Sequence, residues 1–111
     1  MFCLLQICLL VLAQLYTLDQ AKVENVAVNT THTVEENTTV MFTCLFEGNP
    51  VPIVTWSLNG KILQTTEGST TRSSFIVDYI RCNNTGRYIC TANNIIANST
   101  KELMLYVTCK Y

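Results

Sequence analysis

Asn84-Thr85-Gly86-Arg87-Tyr88-Ile89-Cys90-Thr91-Ala92-Asn93-Asn94 is the stretch on which the fold turns. Tyr88, Cys90 and Ala92 alternate with Arg87, Ile89 and Thr91, the period of two that sends one set of side chains inward and the other out. The same period extends in both directions. Leu103, Leu105 and Val107 give a strand after it. Upstream, Val40, Phe42, Cys44 and Phe46 alternate with Met41, Thr43 and Leu45. Ile53 to Leu58 supplies a strand around Trp56, and Asn59-Gly60 signals a tight turn into a short strand from Lys61. Phe75 and Val77 should face inward, with Ile80 closing the end of their strand. Val23 to Val34 reads as a further strand that two sheets can share. Helical spacing is nowhere evident, so the expectation is an all-β chain.

Cys44, Trp56 and Cys90, with Tyr88 two residues before the second cysteine, resemble the immunoglobulin superfamily. Gly48-Asn49-Pro50-Val51-Pro52 leading into Val54-Thr55-Trp56, and the Asn59-Gly60-Lys61 turn, look like its I-set or C2-like class, found in cell-adhesion molecules and receptor ectodomains. The resemblance runs from about Val23 to Val107. It implies an immunoglobulin-like two-sheet antiparallel β-sandwich with Greek-key connections, a Cys44–Cys90 bridge packed against a core Trp56, and a Tyr88 hydroxyl bonded back to its own corner. Two positions depart from the pattern. Asn84 stands where many relatives carry an aspartate that would pair with Arg72, and Ala97 where a loop glycine is common.

The 111 residues leave room for one domain. Leu4 to Leu12 is an apolar run broken only by Gln6, so residues 1–21 read as a secretory signal peptide, with cuts after Ala13, Thr17 or Ala21 all arguable. The competing reading is a membrane anchor, but the run is shorter than the ~20 residues a spanning helix needs. Residues 22–108 form the immunoglobulin-like domain and 109–111 a short C-terminal tail. The mature chain is expected to be secreted or extracellular, possible also as an ectodomain fragment, without membrane insertion.

Of the 6 cysteines, Cys3 and Cys8 fall in the leader. Cys44, Cys82, Cys90 and Cys109 remain, and four cysteines allow three pairings. The topology implied by the resemblance puts Cys82 and Cys109 at one end of the sandwich, where a second bridge is possible. Pairing of one or both with another chain is the alternative. Their spacing does not suit zinc, and no metal or other cofactor is expected.

Four acceptor sequons, at Asn29, Asn37, Asn83 and Asn98, point to a glycoprotein; Asn49 is followed by proline and is excluded. Losing the leader removes one acid, Asp19, and no base, so charges balance and nothing favours nucleic acid. His32 is the only histidine and sits in a polar segment, and Glu35 and Glu36 are adjacent, hence on opposite sides of a strand. An enzyme is not expected. Recognition of a protein partner, possible also between copies of the chain, is the expected function. Arg87, Ile89, Met104 and Tyr106 are the candidate contact residues, facing out from neighbouring strands, with the opposite sheet, which exposes Met41, Leu45 and Ile76, and the loops around Asn49 and Asn94 to Asn98 as alternatives. The alternatives are a spacer module from a longer array, or a secreted inhibitor or defence factor binding through loops.

Overall fold

The computed structural model describes residues 17–67 and 71–110. The segment before Thr17, which carries most of the expected leader with Cys3 and Cys8, lies outside the described residues. The strands are β1 (Asp19–Val28), β2 (Thr33–Glu35), β3 (Val40–Asn49), β4 (Ile53–Leu58), β5 (Lys61–Thr66), β6 (Arg72–Val77), β7 (Gly86–Asn93) and β8 (Asn98–Thr108), with a 3-10 turn at Cys82–Asn84.

They form two sheets, β1-β3-β6 and β2-β8-β7-β4-β5. Strand β4 spans the residues expected from the alternation around Trp56, and β5 starts at Lys61 as the Asn59-Gly60 turn requires. The amino-terminal segment is divided between the sheets. Strand β1 pairs antiparallel with β3, and β2 pairs with β8 in parallel, so the larger sheet is mixed. His32 is exposed, and its carbonyl accepts from the Tyr106 amide at 2.8 Å, which starts that parallel pairing.

Strand β1 begins at Asp19, and Ala21 is buried. Gly48 makes room for it. At φ +153°, a Cβ on Gly48 would stand 2.8 Å from Pro52 Cγ, closer than Cβ atoms are found, and 3.0 Å from the Ala21 backbone, a tight contact. Removal of a leader after Ala13 or Thr17 leaves β1 whole, whereas a cut after Ala21 takes three of its residues.

The core is built from the inward set on each strand: Val40, Phe42, Cys44 and Phe46 face Val54, Trp56, Tyr88, Cys90, Leu103, Leu105 and Val107. Each fully buried large apolar side chain contributes about 1.5–3 kcal/mol. Phe42 is the aromatic centre. It stacks on Tyr88 at 4.2 Å and on Phe75 at 4.9 Å, and presents an edge to Trp56 at 6.0 Å.

Two cross-sheet links run side by side through this core. The disulfide Cys44–Cys90 joins β3 to β7 with a Cα–Cα separation of 6.4 Å. In register beside Cys44 stands Ser73, and beside Cys90 stands Trp56. Trp56 Nε1 donates to Ser73 Oγ at 3.2 Å. A buried indole N–H needs such an acceptor; the sequence offered no sign that Ser73 would be it.

Tyr88 donates its hydroxyl to the Asn84 carbonyl at 2.6 Å. Burial pushes the Tyr88 phenol up to about 12, because the phenolate would lose its hydration. The folded state therefore keeps this proton after the unfolded chain, with a phenol near 10, has released it. Stability from this group is complete below about pH 10 and is lost as pH rises towards about 12. Thermal melts should show Tyr88→Phe about 1 kcal/mol less stable at neutral pH, with a shallower alkaline decline. An unchanged alkaline limb would mean that Tyr88 does not carry it.

At the opposite end of the sandwich from the loop before Trp56, the disulfide Cys82–Cys109 joins the 3-10 turn to the chain beyond β8, with Cα atoms 5.0 Å apart. The Glu36 carboxylate spans the same two segments, accepting from Lys110 N at 2.8 Å and Cys82 N at 3.0 Å. These two amides, led by that of Lys110, hold the Glu36 carboxyl below the usual carboxylate range.

Candidate functional site

Strands β4, β7 and β8 turn away from the core the residues of opposite parity. Ile89 is in register with Glu102 on one side and Ser57 on the other, and Ser57 with Ile62 of β5. One step along, Thr100, Thr91, Thr55 and Thr65 stand abreast, with Thr91 Oγ1 and Thr100 Oγ1 3.3 Å apart. In the other direction Met104 faces Arg87.

This register sets the chemistry of the face. Arg87 and Glu102 occupy one diagonal and pair, Nε to Oε1, at 3.4 Å. Ile89 and Met104 occupy the other, both half-buried. The ion pair is exposed and contributes about 0–1 kcal/mol, so its main effect is to divide the apolar pair with charge. A concavity of about 300 Å³ opens here, lined by Asn59, Gly60, Arg87, Ile89 and Met104. Three of the four contact residues expected from the sequence thus converge. Tyr106 does not line the concavity; it lies further along β8, in register with Thr33 of β2, and is 52% exposed.

Asn59 and Gly60 were not among the expected contact residues. Their position follows from the turn that joins β4 to β5. Asn59 Oδ1 accepts from Arg87 N at 3.3 Å, and its Nδ2 donates to Thr85 O at 3.4 Å. The side chain therefore lies across Gly86, where a Cβ would meet it at 2.5 Å. Glycine at 86, just before the expected strand, is the sequence signal that could have located this contact.

A second apolar surface lies at the loops around Asn49 and 94–98. Leu18, Val51, Ile53, Ile95 and Ile96 are all exposed near the β3–β4 and β7–β8 connections. Asn94 organises them: Nδ2 donates to Asp19 O and Pro50 O, and Oδ1 accepts from Ile96 N and Ala97 N. On the other sheet Met41 faces Ile76, both exposed, and Leu45 is half-buried. Asn29, Asn37, Asn83 and Asn98 are all exposed.

Two packed sheets, an inter-sheet disulfide against a buried tryptophan and a tyrosine bonded to its own corner define a disulfide-stapled β-sandwich module. The chain belongs to the immunoglobulin domain family, whose model matches residues 24–94. It is 36% identical over 77 residues to hemicentin-1 of Mus musculus, covering 67% of this chain and 1% of that protein. It is 35% identical over 80 residues to the leucine-rich repeat and immunoglobulin-like domain-containing nogo receptor-interacting protein 1-B of Danio rerio, covering 67% of this chain and 13% of that one. The chain thus spans a small part of these relatives. The Dscam1 Ig7 domain superposes with a TM-score of 0.71 at 18% identity, over 80% of this chain and 100% of that domain.

Proposed function

We propose that this chain is a secreted or extracellular recognition domain that binds a protein partner through the outer face of β4, β7 and β8. The observation that carries this reading is the concavity in which aliphatic Ile89 and Met104 sit beside the Arg87 cation, with Asn59 at its rim. Apolar area beside arginine is the composition of interface cores. A second copy of the chain is one candidate partner, since a face with one cation and one anion meets itself without net repulsion.

Further support comes from the sequons. Asn29 exchanges backbone and side-chain hydrogen bonds with Met41 on the opposite sheet. Asn37 and Asn83 flank the end that carries Cys82. Asn98 lies on the recognition face, but about 20 Å along β8 from Met104 at the strand rise per residue. Sugars at these positions would cover the other sheet and both ends, leaving the concavity open. The relatives are extracellular-matrix or cell-surface proteins, and the disulfides suit that compartment.

Ile89→Asp and Tyr106→Asp put carboxylates on exposed or half-exposed positions, so both variants should still be secreted. Bead-displayed domain is expected to lose at least about ten-fold of its binding to itself or to cell surfaces with Ile89→Asp, the cost of one desolvated charge in an interface. Tyr106→Asp should have a smaller effect, being further from the concavity. Normal binding by both variants would place the site elsewhere. A spacer role in a longer array is the second reading, favoured by the small share of hemicentin-1 that this chain matches.

A further inference from the structure

We infer that the Cys82–Cys109 bridge is a thiol-exchange site, opened by an anionic low-molecular-weight thiol that attacks Cys82, while Cys44–Cys90 stays closed. The two disulfides differ first in access. Cys44 and Cys90 are fully buried, whereas Cys82 and Cys109 are both half-buried. Exchange requires a thiolate to reach a sulfur, so a bridge sealed inside the core reacts only after unfolding.

They differ also in charge. Cys44 is flanked by Thr43 and Leu45, and Cys90 by Ile89 and Thr91; Cys82 follows Arg81, and Cys109 precedes Lys110. A neighbouring cation stabilises a thiolate and makes it a better leaving group. A hollow of about 420 Å³, lined by Glu36, Arg81, Cys82 and Asn83, gives the incoming thiol its approach to Cys82. Cys109 is not part of that lining, so it is the sulfur that leaves. Two carboxylates also face this end, but both are engaged. Glu35 lies 3.7 Å from Lys110 Nζ, and Glu36 accepts the Cys82 and Lys110 amides. Arg81 is exposed at the rim, placed to attract an anionic thiol.

The chemistry balances as two exchanges. A thiolate forms a bond to Cys82 Sγ, the Cys82–Cys109 bond breaks, and the electron pair leaves on Cys109, which takes a proton from water. A second thiolate attacks the mixed disulfide and releases Cys82, so two small thiols are oxidised to their disulfide and one protein disulfide is reduced. Opening would not release the fold. Glu36 still holds both backbones, Glu36 N donates to Thr108 O at 3.2 Å, and Val107 N donates to Thr85 Oγ1 at 2.8 Å.

The test incubates the native secreted protein with reduced glutathione at neutral pH, quenches by alkylation and maps the cysteines by peptide mass spectrometry. Expected is a glutathione adduct on Cys82 with Cys109 alkylated, forming at least about ten-fold faster than any opening of Cys44–Cys90. Arg81→Gln should slow the reaction of glutathione, whose thiolate carries a net charge of about −2, about three-fold, and that of 2-mercaptoethanol, whose thiolate carries a single charge, by clearly less. The inference is overturned by an adduct mainly on Cys109, by both bridges opening together, by no opening before denaturant is added, or by free Cys82 and Cys109 thiols in the untreated protein.

Discussion

Replacing Cys44 and Cys90 together by alanine is expected to abolish accumulation of folded protein. Closing a loop whose ends are 46 residues apart stabilises by about 4 kcal/mol in the chain-entropy model. A domain of this size has a total stability of roughly 5–13 kcal/mol, so that single term is a large share of it. Both sulfurs are fully buried, and their removal also leaves unfilled volume beside Trp56, which costs more. Thermal melts of whatever is recovered should fall by about 15–30 °C, at the sensitivity of a small domain. A midpoint within about 5 °C of the parent would show that the hydrophobic core and the second bridge suffice. The effect acts on the fold and not on the outer face of β4, β7 and β8, so any molecules that do fold should keep whatever binding the proposed face supports.

Trp56→Ala is expected to cost about 3–5 kcal/mol and should rival the loss of the disulfide. The indole is completely buried, its edge packs against Phe75 with ring centroids 5.0 Å apart, and its N–H holds Ser73 from the opposite sheet. Alanine removes the packing and leaves the Ser73 hydroxyl without its partner. Ser73→Ala separates the two contributions, because it strips the acceptor but keeps the ring; it should cost about 1–3 kcal/mol, the penalty for a buried donor left unpaired. Chemical denaturation should register both as lower midpoints at unchanged slope. If Ser73→Ala were neutral, the indole N–H would have to find another acceptor, and the paired-link description of the core would fail.

Set beside the exchangeable Cys82–Cys109 bridge, these two results divide the molecule. The links that cross the centre of the sandwich hold the sheets together and are sealed. The bridge at the end ties the chain exit to the turn before β7 and is reachable. The face proposed for recognition, on the outside of β4, β7 and β8, touches neither link directly.

The alternation of apolar and polar residues was enough to place most strands, because which way a strand residue points is a local property with a period of two. It put Phe42, Cys44, Trp56, Tyr88, Cys90 and Leu105 inside, and the Asn59-Gly60 turn where β5 begins. The resemblance carried by Cys44, Trp56 and Cys90 supplied the sandwich. Contacts between residues distant in the chain were beyond this reading, since they depend on how strands from different sheets are aligned. Ser73 meets Trp56, Glu36 reaches both Cys82 and Lys110, and Asn94 ties Asp19 to Pro50 only because packing of the core sets those alignments. The candidate face shows the same limit. The sequence indicated that Arg87, Ile89, Met104 and Tyr106 point outward, but the register of β7 against β8 decided that Arg87 and Glu102 pair across the line joining Ile89 to Met104, leaving Tyr106 outside the concavity.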